Sequence, residues 1–349
     1  MKFIKVNNKI IGYNKPAFIV AEVGFNHNGD PKLAGEMIMA AAKNGADAVK
    51  FQTFKAEKLS SKYVNSYGVK DENIGKSQWE LYKLFELPLK NYSRLVKLAK
   101  KSGIIFFSTP FDEENADFLE SLGVPMFKIS SGDLTHLPLI KHVAKKKKPI
   151  IISTGMGTIE EIKEAISTCH KVGNKQIILL HCTSNYPTEP ENTNLNSIIT
   201  LQKTFPNIPI GFSDHTKDNY AAFAAVTLGA CLIEKHFTID KNLPGVDQHF
   251  SMDPPQLADL VKGIRTIEMA KGSFKKGPIK AENTTLRLAR RSIIAIVDIP
   301  KGTIIKKNML AIKRPGTGIL PRELLKVVRK KAKVNIKTET PLTWKMLQN

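Results

Sequence analysis

Through the first 270 residues the apolar positions alternate between two patterns. Short, nearly unbroken apolar runs bounded by turn residues are followed by longer stretches in which apolar residues recur every three or four positions. The short runs are AFIVAEVG (17–24), DAVKFQTF (47–54), IIFFSTPF (104–111), MFKISSG (126–132), PIIISTG (149–155), QIILLHCTS (176–184), IPIGFSD (208–214) and CLIEKHF (231–237). Runs of this kind mark strands covered on both faces. Between them, Asp30-Pro31 opens KLAGEMIMAAAKNGA with a cap residue, a first-turn proline and Gly45 near the stop. Thr158 and Glu161 form a capping box ahead of IKEAISTCHKVG, and residues 254–272 supply an eighth helix. Eight strand–helix alternations predict an α/β fold, a (β/α)8 TIM barrel over 1–271. A doubly wound open sheet is the alternative, weakened because no GxGxxG follows the first strand.

After a polar stretch expected as a linker (272–287), the pattern changes for a small domain at 288–349. There DIPKGTIIKKNML (298–310) aligns without gaps to NIKTETPLTWKML (335–347), 37 positions on. The self-similarity predicts a pseudo-symmetric module of two related halves.

Composition narrows the function. At 349 residues and 42% hydrophobic the chain buries a large core, and no apolar run approaches the roughly 20 residues that span a bilayer. The opening residues lack a secretory apolar core, and Cys169, Cys182 and Cys231 show no CxxC spacing. The expectation is a soluble cytoplasmic protein with no membrane partner. The net charge of +21 raises nucleic-acid binding. The excess lysines, however, are scattered over what read as outer helix faces, without interleaved aromatics. The densest run, AKKKKP (144–149), falls at a helix end, where cations complement the helix dipole. No nucleic-acid partner is expected.

Function in such a barrel gathers at the C-terminal ends of the strands. Every predicted strand ends polar: Glu22; Lys50 and Gln52; Ser108 and Thr109; Lys128 and Ser131; Ser153 and Thr154; Thr183 and Ser184; Ser213 and His215; Glu234 and His236. Unpaired buried charge costs several kcal/mol, so the ring should surround something charged. Two lysines inside apolar runs, with several hydroxyls, suit a phosphate and a carboxylate on one small ligand. His215 and His236, on adjacent strands beside Asp214 and Glu234, are either ordinary strand-end residues or ligands of one metal ion. Two imidazoles would leave positions open for substrate, the arrangement of a Lewis acid.

The motifs AEVGFNHNGD, VKFQTF, STPFD, FKISSGD, STGM, LLHCTSNYPT, GFSDHT, IEKHFT and KRPGTG occur in the order seen in bacterial sialic acid (N-acetylneuraminate) synthases. The chain resembles that family from about residue 20 to 347, and its C-terminal part resembles their antifreeze-like (SAF) domain. The resemblance implies a transferase that condenses phosphoenolpyruvate with an open-chain N-acylmannosamine, releasing phosphate. It also implies a divalent metal, commonly Mn²⁺ with Mg²⁺ or Co²⁺ as alternatives, on His215 and His236. Lys50, Thr109, Lys128, Ser131, Ser153 and Ser213 map to phosphoenolpyruvate. Glu22, Gln52, Tyr186 and Asp247 map to the sugar, and Glu22, Asp133 and Glu234 to proton handling.

Arg314, in KRPGTG, would reach the sugar of a neighbouring subunit, which implies a domain-swapped homodimer. Two positions depart from the family pattern: Asp133 stands where many relatives have Glu, and Ser184 where some have Asn. The expected acceptor is N-acetylmannosamine. The alternatives are 2,4-diacetamido-2,4,6-trideoxymannose, which leads to legionaminic acid, and the pseudaminic acid precursor.

Overall fold

The structure is a computed structural model and describes residues 3–64 and 77–348. It divides into two compact units, Met1–Gly272 and Ser273–Asn349. The first opens with a hairpin, β1 (Phe3–Val6) and β2 (Lys9–Gly12). Eight strands follow: β3 (Phe18–Glu22), β4 (Ala48–Thr53), β5 (Ile105–Pro110), β6 (Phe127–Ile129), β7 (Ile150–Ser153), β8 (Ile177–Cys182), β9 (Ile210–Asp214) and β10 (Leu232–His236). They pair in parallel in chain order, and β10 returns to β3 to close the barrel. All eight apolar runs are strands of this barrel, and the open-sheet alternative is excluded.

The outer layer comprises α1 (Pro31–Lys43), α4 (Tyr92–Lys101), α5 (Glu113–Ser121), α6 (Leu137–Lys145), α7 (Ile159–Lys171), α8 (Asn196–Thr204), α9 (Tyr220–Thr227) and α10 (Pro254–Lys271). Their apolar faces pack on the outward side chains of the strands in one cluster that includes Ile38, Leu95, Val143 and Leu260. The caps form as the sequence predicts. Asp30 accepts from Lys32 N, and Thr158 and Glu161 make both bonds of a capping box. Each such cap is worth about 1 kcal/mol.

Two features were not anticipated. The hairpin buries Ile4, Val6 and Ile11 against Phe18, Val20, Ile105 and Ile178, filling the end of the barrel opposite the strand C-termini. The Asn7-Asn8 pair between two short apolar segments, with Asn7 at a φ of 52° that suits a tight turn, is the signal that marks it. In addition, α2 (Ala56–Leu59) and α3 (Gln78–Phe85) form an excursion between β4 and α4.

In the second unit, α11 (Asn283–Ala289) runs through the end of the segment read as linker. It precedes β11 (Ser292–Ala295), β12 (Leu310–Lys313) and α12 (Leu324–Val327). The internal repeat is structural. Ile299 and Ile336, equivalent under the 37-residue offset, exchange backbone bonds of 2.8 and 2.9 Å. The bonds Gly302 N to Ala332 O and Glu339 N to Ala295 O convert into each other under the same offset. Two related halves therefore face each other across a pseudo-two-fold. Among the described residues no helix is long and apolar enough to cross a membrane.

Candidate active site

Strand residues alternate sides, so Glu22, Lys50, Lys128, Ser213 and Glu234 enter the lumen while their neighbours pack outward. Register brings the inward set together. Glu22 is paired with Lys50 across β3–β4, and Ser213 with Glu234 across β9–β10. Lys50 Nζ lies 2.8 Å from Glu22 Oε2 and 3.7 Å from Glu234 Oε1, and reaches Thr109 Oγ1 at 3.3 Å. From across the barrel Lys128 donates to Glu234 Oε1 at 2.8 Å, and Ser213 donates to the same oxygen at 3.2 Å. Gln52 donates to Glu22 Oε1 at 2.9 Å. The ring was expected to hold unpaired charge awaiting a ligand. Instead the two lysines are paired with the two glutamates, because all four point into one lumen.

Burial and neighbours drive the two carboxyls apart. Desolvation raises the pKa of Glu22 despite Lys50 beside it. Burial also acts to raise Glu234, but Lys128 and Lys50 outweigh it and hold this carboxyl at about 2. Lys128 is lowered by desolvation, which Glu234 only partly offsets. Asp133 is raised by burial although Ser130 donates to it at 2.6 Å.

Above this floor opens a cleft of about 700 Å³. Seven of the expected residues line it: Gln52, Ser131, Asp133, Ser184, Tyr186, His236 and Asp247. Ser131 Oγ accepts from Gly155 N at 3.0 Å and lies 3.0 Å from Cys182 Sγ. A Cβ on Gly155 would fall 2.4 Å from Ser184 Oγ and 2.9 Å from Ser131 Oγ, so glycine is required where these hydroxyls converge. The Oγ atoms of Ser153 and Ser184, Oε2 of Glu234 and Nδ1 of His236 are all buried without a hydrogen-bond partner. Buried polar atoms left unpaired are costly, and a cluster of them marks a place where a ligand supplies the partners.

His215 and His236 face each other with ring centroids 5.7 Å apart, and Tyr186 packs 4.2 Å from His215. His215 Nδ1 lies 2.7 Å from the Thr183 carbonyl, which can only accept, so Nδ1 carries the proton and Nε2 keeps its lone pair. Burial lowers His215 to about 4 and holds His236 well below its ordinary value, keeping both imidazoles neutral. A neutral imidazole keeps one lone pair, so His236 and His215, whose Nε2 lies 3.3 Å from Ser213 Oγ, fit a divalent cation. Asp247 Oδ2 is 3.6 Å from His236 Nδ1. Asp214, placed beside the histidines by sequence proximity, belongs elsewhere. It points outward and pairs with Lys235 at 2.8 Å, accepting also from Thr216 N and Oγ1. Strand alternation separates it from Ser213 and His215.

Residues 37–276 match the NeuB family, and residues 290–348 match the SAF domain. The chain belongs to the NeuB family. It is 45% identical to the N,N'-diacetyllegionaminic acid synthase of Legionella pneumophila, over 99% of this chain and 98% of that one. It is 36% identical to human N-acetylneuraminate-9-phosphate synthase, over 97% and 95%. The crystal structure of N-acetylneuraminic acid synthetase from Leptospira borgpetersenii, in complex with citrate, superposes with a TM-score of 0.72 at 36% identity. That match covers 81% of this chain and 95% of that one. The protein is accordingly an enzyme, a transferase of the nonulosonic acid synthase class.

Within this NeuB-family barrel the structure gathers every expected site residue except Arg314, which lies in the second unit. Arg314 is exposed there and donates Nε to Ala289 O at 3.0 Å. Phe250, which lines the cleft 5.2 Å from the His236 ring, was missed. So was the Thr183 carbonyl that orients His215. A phenylalanine in a loop and a backbone oxygen carry no pattern from which to find them.

Proposed function

We propose that the enzyme condenses phosphoenolpyruvate with an open-chain N-acylated amino sugar, forming a nine-carbon 2-keto acid and releasing phosphate. The observation that carries this reading is the convergence of two buried lysines and the unpartnered serine hydroxyls on one lumen. Lys50 and Lys128, with Thr109, Ser131, Ser153 and Ser213, hold the phosphoenolpyruvate anion. Lysines act there as point charges and hydroxyls give direction. Gln52, Ser184, Tyr186 and Asp247, on the cleft wall, hold the sugar with its aldehyde carbon toward phosphoenolpyruvate C3.

The C3–C1 bond forms, water adds at C2, and the C2–O bond to phosphate breaks. Glu234, held ionised, is the base for that water. Glu22, pushed up by burial, is the group able to carry a proton, and Asp133 is a second. Two carboxyls set apart by environment is how one site does acid and base work together. A divalent cation on His215 and His236, Mn²⁺ with Mg²⁺ or Co²⁺ as alternatives, would supply Lewis-acid polarisation of the aldehyde oxygen.

The acceptor we favour is 2,4-diacetamido-2,4,6-trideoxymannose rather than N-acetylmannosamine. It is supported by the 45% identity to the Legionella N,N'-diacetyllegionaminic acid synthase and 44% to that of Campylobacter jejuni, against 36% to the human synthase. We further propose a domain-swapped homodimer in which Arg314 serves the partner's sugar, and a cytoplasmic location, which the three buried, unpaired cysteines suit. The deciding experiment follows phosphate release from phosphoenolpyruvate with a panel of acceptor sugars and Mn²⁺. Release that requires an N-acylated 2-aminosugar is expected; none with any such sugar would refute the condensation.

A further inference from the structure

Phe54, Leu81 and Phe85 form a buried apolar cluster of their own, separate from the barrel core. Phe25 stacks on Phe85 at 5.5 Å and meets Phe54 edge-on at 5.7 Å. The cluster is built largely by the α2–α3 excursion and is separate from the cluster that packs the helices on the barrel. Leu59, Phe111 and Val246 pack against it and are only half-buried, and all three line the cleft that holds Gln52, His236 and Asp247. A half-buried apolar wall that faces the same cleft as the catalytic groups is placed to touch substrate.

A sugar hydroxyl pressed on Leu59 or Val246 would lose its water without gaining a partner. A methyl group there gains burial and loses nothing.

We infer that Leu59, Phe111 and Val246 are specificity-determining residues that read apolar substituents of the acceptor, namely the 6-deoxy methyl and the methyl of a 4-acetamido group. This rests on the condensation proposed above. It deepens that reading by giving the 6-deoxy diacetamido sugar a physical selector in this chain.

The test compares three acceptors on the full-length enzyme by phosphate release: 2,4-diacetamido-2,4,6-trideoxymannose, N-acetylmannosamine and N-acetylmannosamine 6-phosphate. In the wild type kcat/KM should favour the first over either mannosamine by about 100-fold, the scale set by two methyl-sized contacts. Leu59→Gln and Val246→Asn, at half-exposed positions, should each narrow that preference roughly tenfold through the sugar's KM, leaving the KM for phosphoenolpyruvate unchanged. Leu59→Met should keep the preference. An unchanged preference in both polar variants, or a wild type that prefers either mannosamine, overturns the inference while leaving the condensation standing. No release with any of the three overturns the condensation, and the inference with it.

Discussion

Lys128 and Glu234, 106 positions apart in the chain, meet at 2.8 Å inside the barrel mouth, with only 3% and 4% of each exposed. Glu234 also faces Lys50 at 3.7 Å, so a single carboxylate ties the two lysines assigned to phosphoenolpyruvate. This relationship decides how substitutions here behave.

Removing one partner of a buried pair strands the other. Lys128→Met should lower unfolding free energy by about 3–5 kcal/mol, so a fall in stability alone says nothing of function. Lys128→Met/Glu234→Gln should regain most of that stability, because no unpaired charge remains. It should still lose at least about a hundredfold in kcat/KM for phosphoenolpyruvate. Chemical denaturation and phosphate release check the two halves separately. A stable double variant with near-normal kinetics would show that the pair serves only the fold.

Metal binding can be read without turnover. Titration calorimetry should show Mn²⁺ binding to the wild type, and His215→Ala or His236→Ala should weaken it by at least about 100-fold, the upper range for outer-shell changes. Chelator should abolish phosphate release, and added Mn²⁺ should restore it. Unchanged affinity in His215→Ala/His236→Ala would remove both histidines from the metal.

The proposed dimer is checked by complementation. Arg314→Ala and His236→Ala chains should each be nearly inactive alone. Mixed under conditions where subunits exchange, they should regain part of the activity, since one composite site joins an intact barrel to an intact arginine. No recovery would mean that Arg314 acts within its own chain or has no part in the reaction.

His27 gives a prediction about acid stability. Its ring is fully buried against Phe51, Nδ1 accepts from Gly29 N at 3.0 Å, and Nε2 has no partner. Burial lowers its pKa from 6.5 to about 4. The unfolded chain therefore binds a proton below pH 6.5 that the folded state refuses down to about 4. The stability associated with neutral His27 is fully present above that window and is lost as pH falls through it, by about 3 kcal/mol in all. His27→Gln should flatten the stability profile between those limits. A parallel profile would mean that the ring is hydrated or paired when folded.

The eight barrel strands, their succession and the ends at which chemistry gathers were legible along the chain, because period-two and period-3.6 patterns are local and report which face each residue presents. The capping residues of α1 and α7 were legible for the same reason, and the 37-residue repeat showed the symmetry of the second unit before Ile299 and Ile336 were seen to pair. Which side chains meet across the barrel was not legible. Glu234 and Lys235 are adjacent in the chain, yet closure of the barrel sends one to Lys128 across the lumen and the other to Asp214 under the helices. The aromatic wall above the barrel's mouth became visible only once folded. It is made by side chains brought together from distant segments, and such contacts depend on closure and strand register, which no local periodicity encodes.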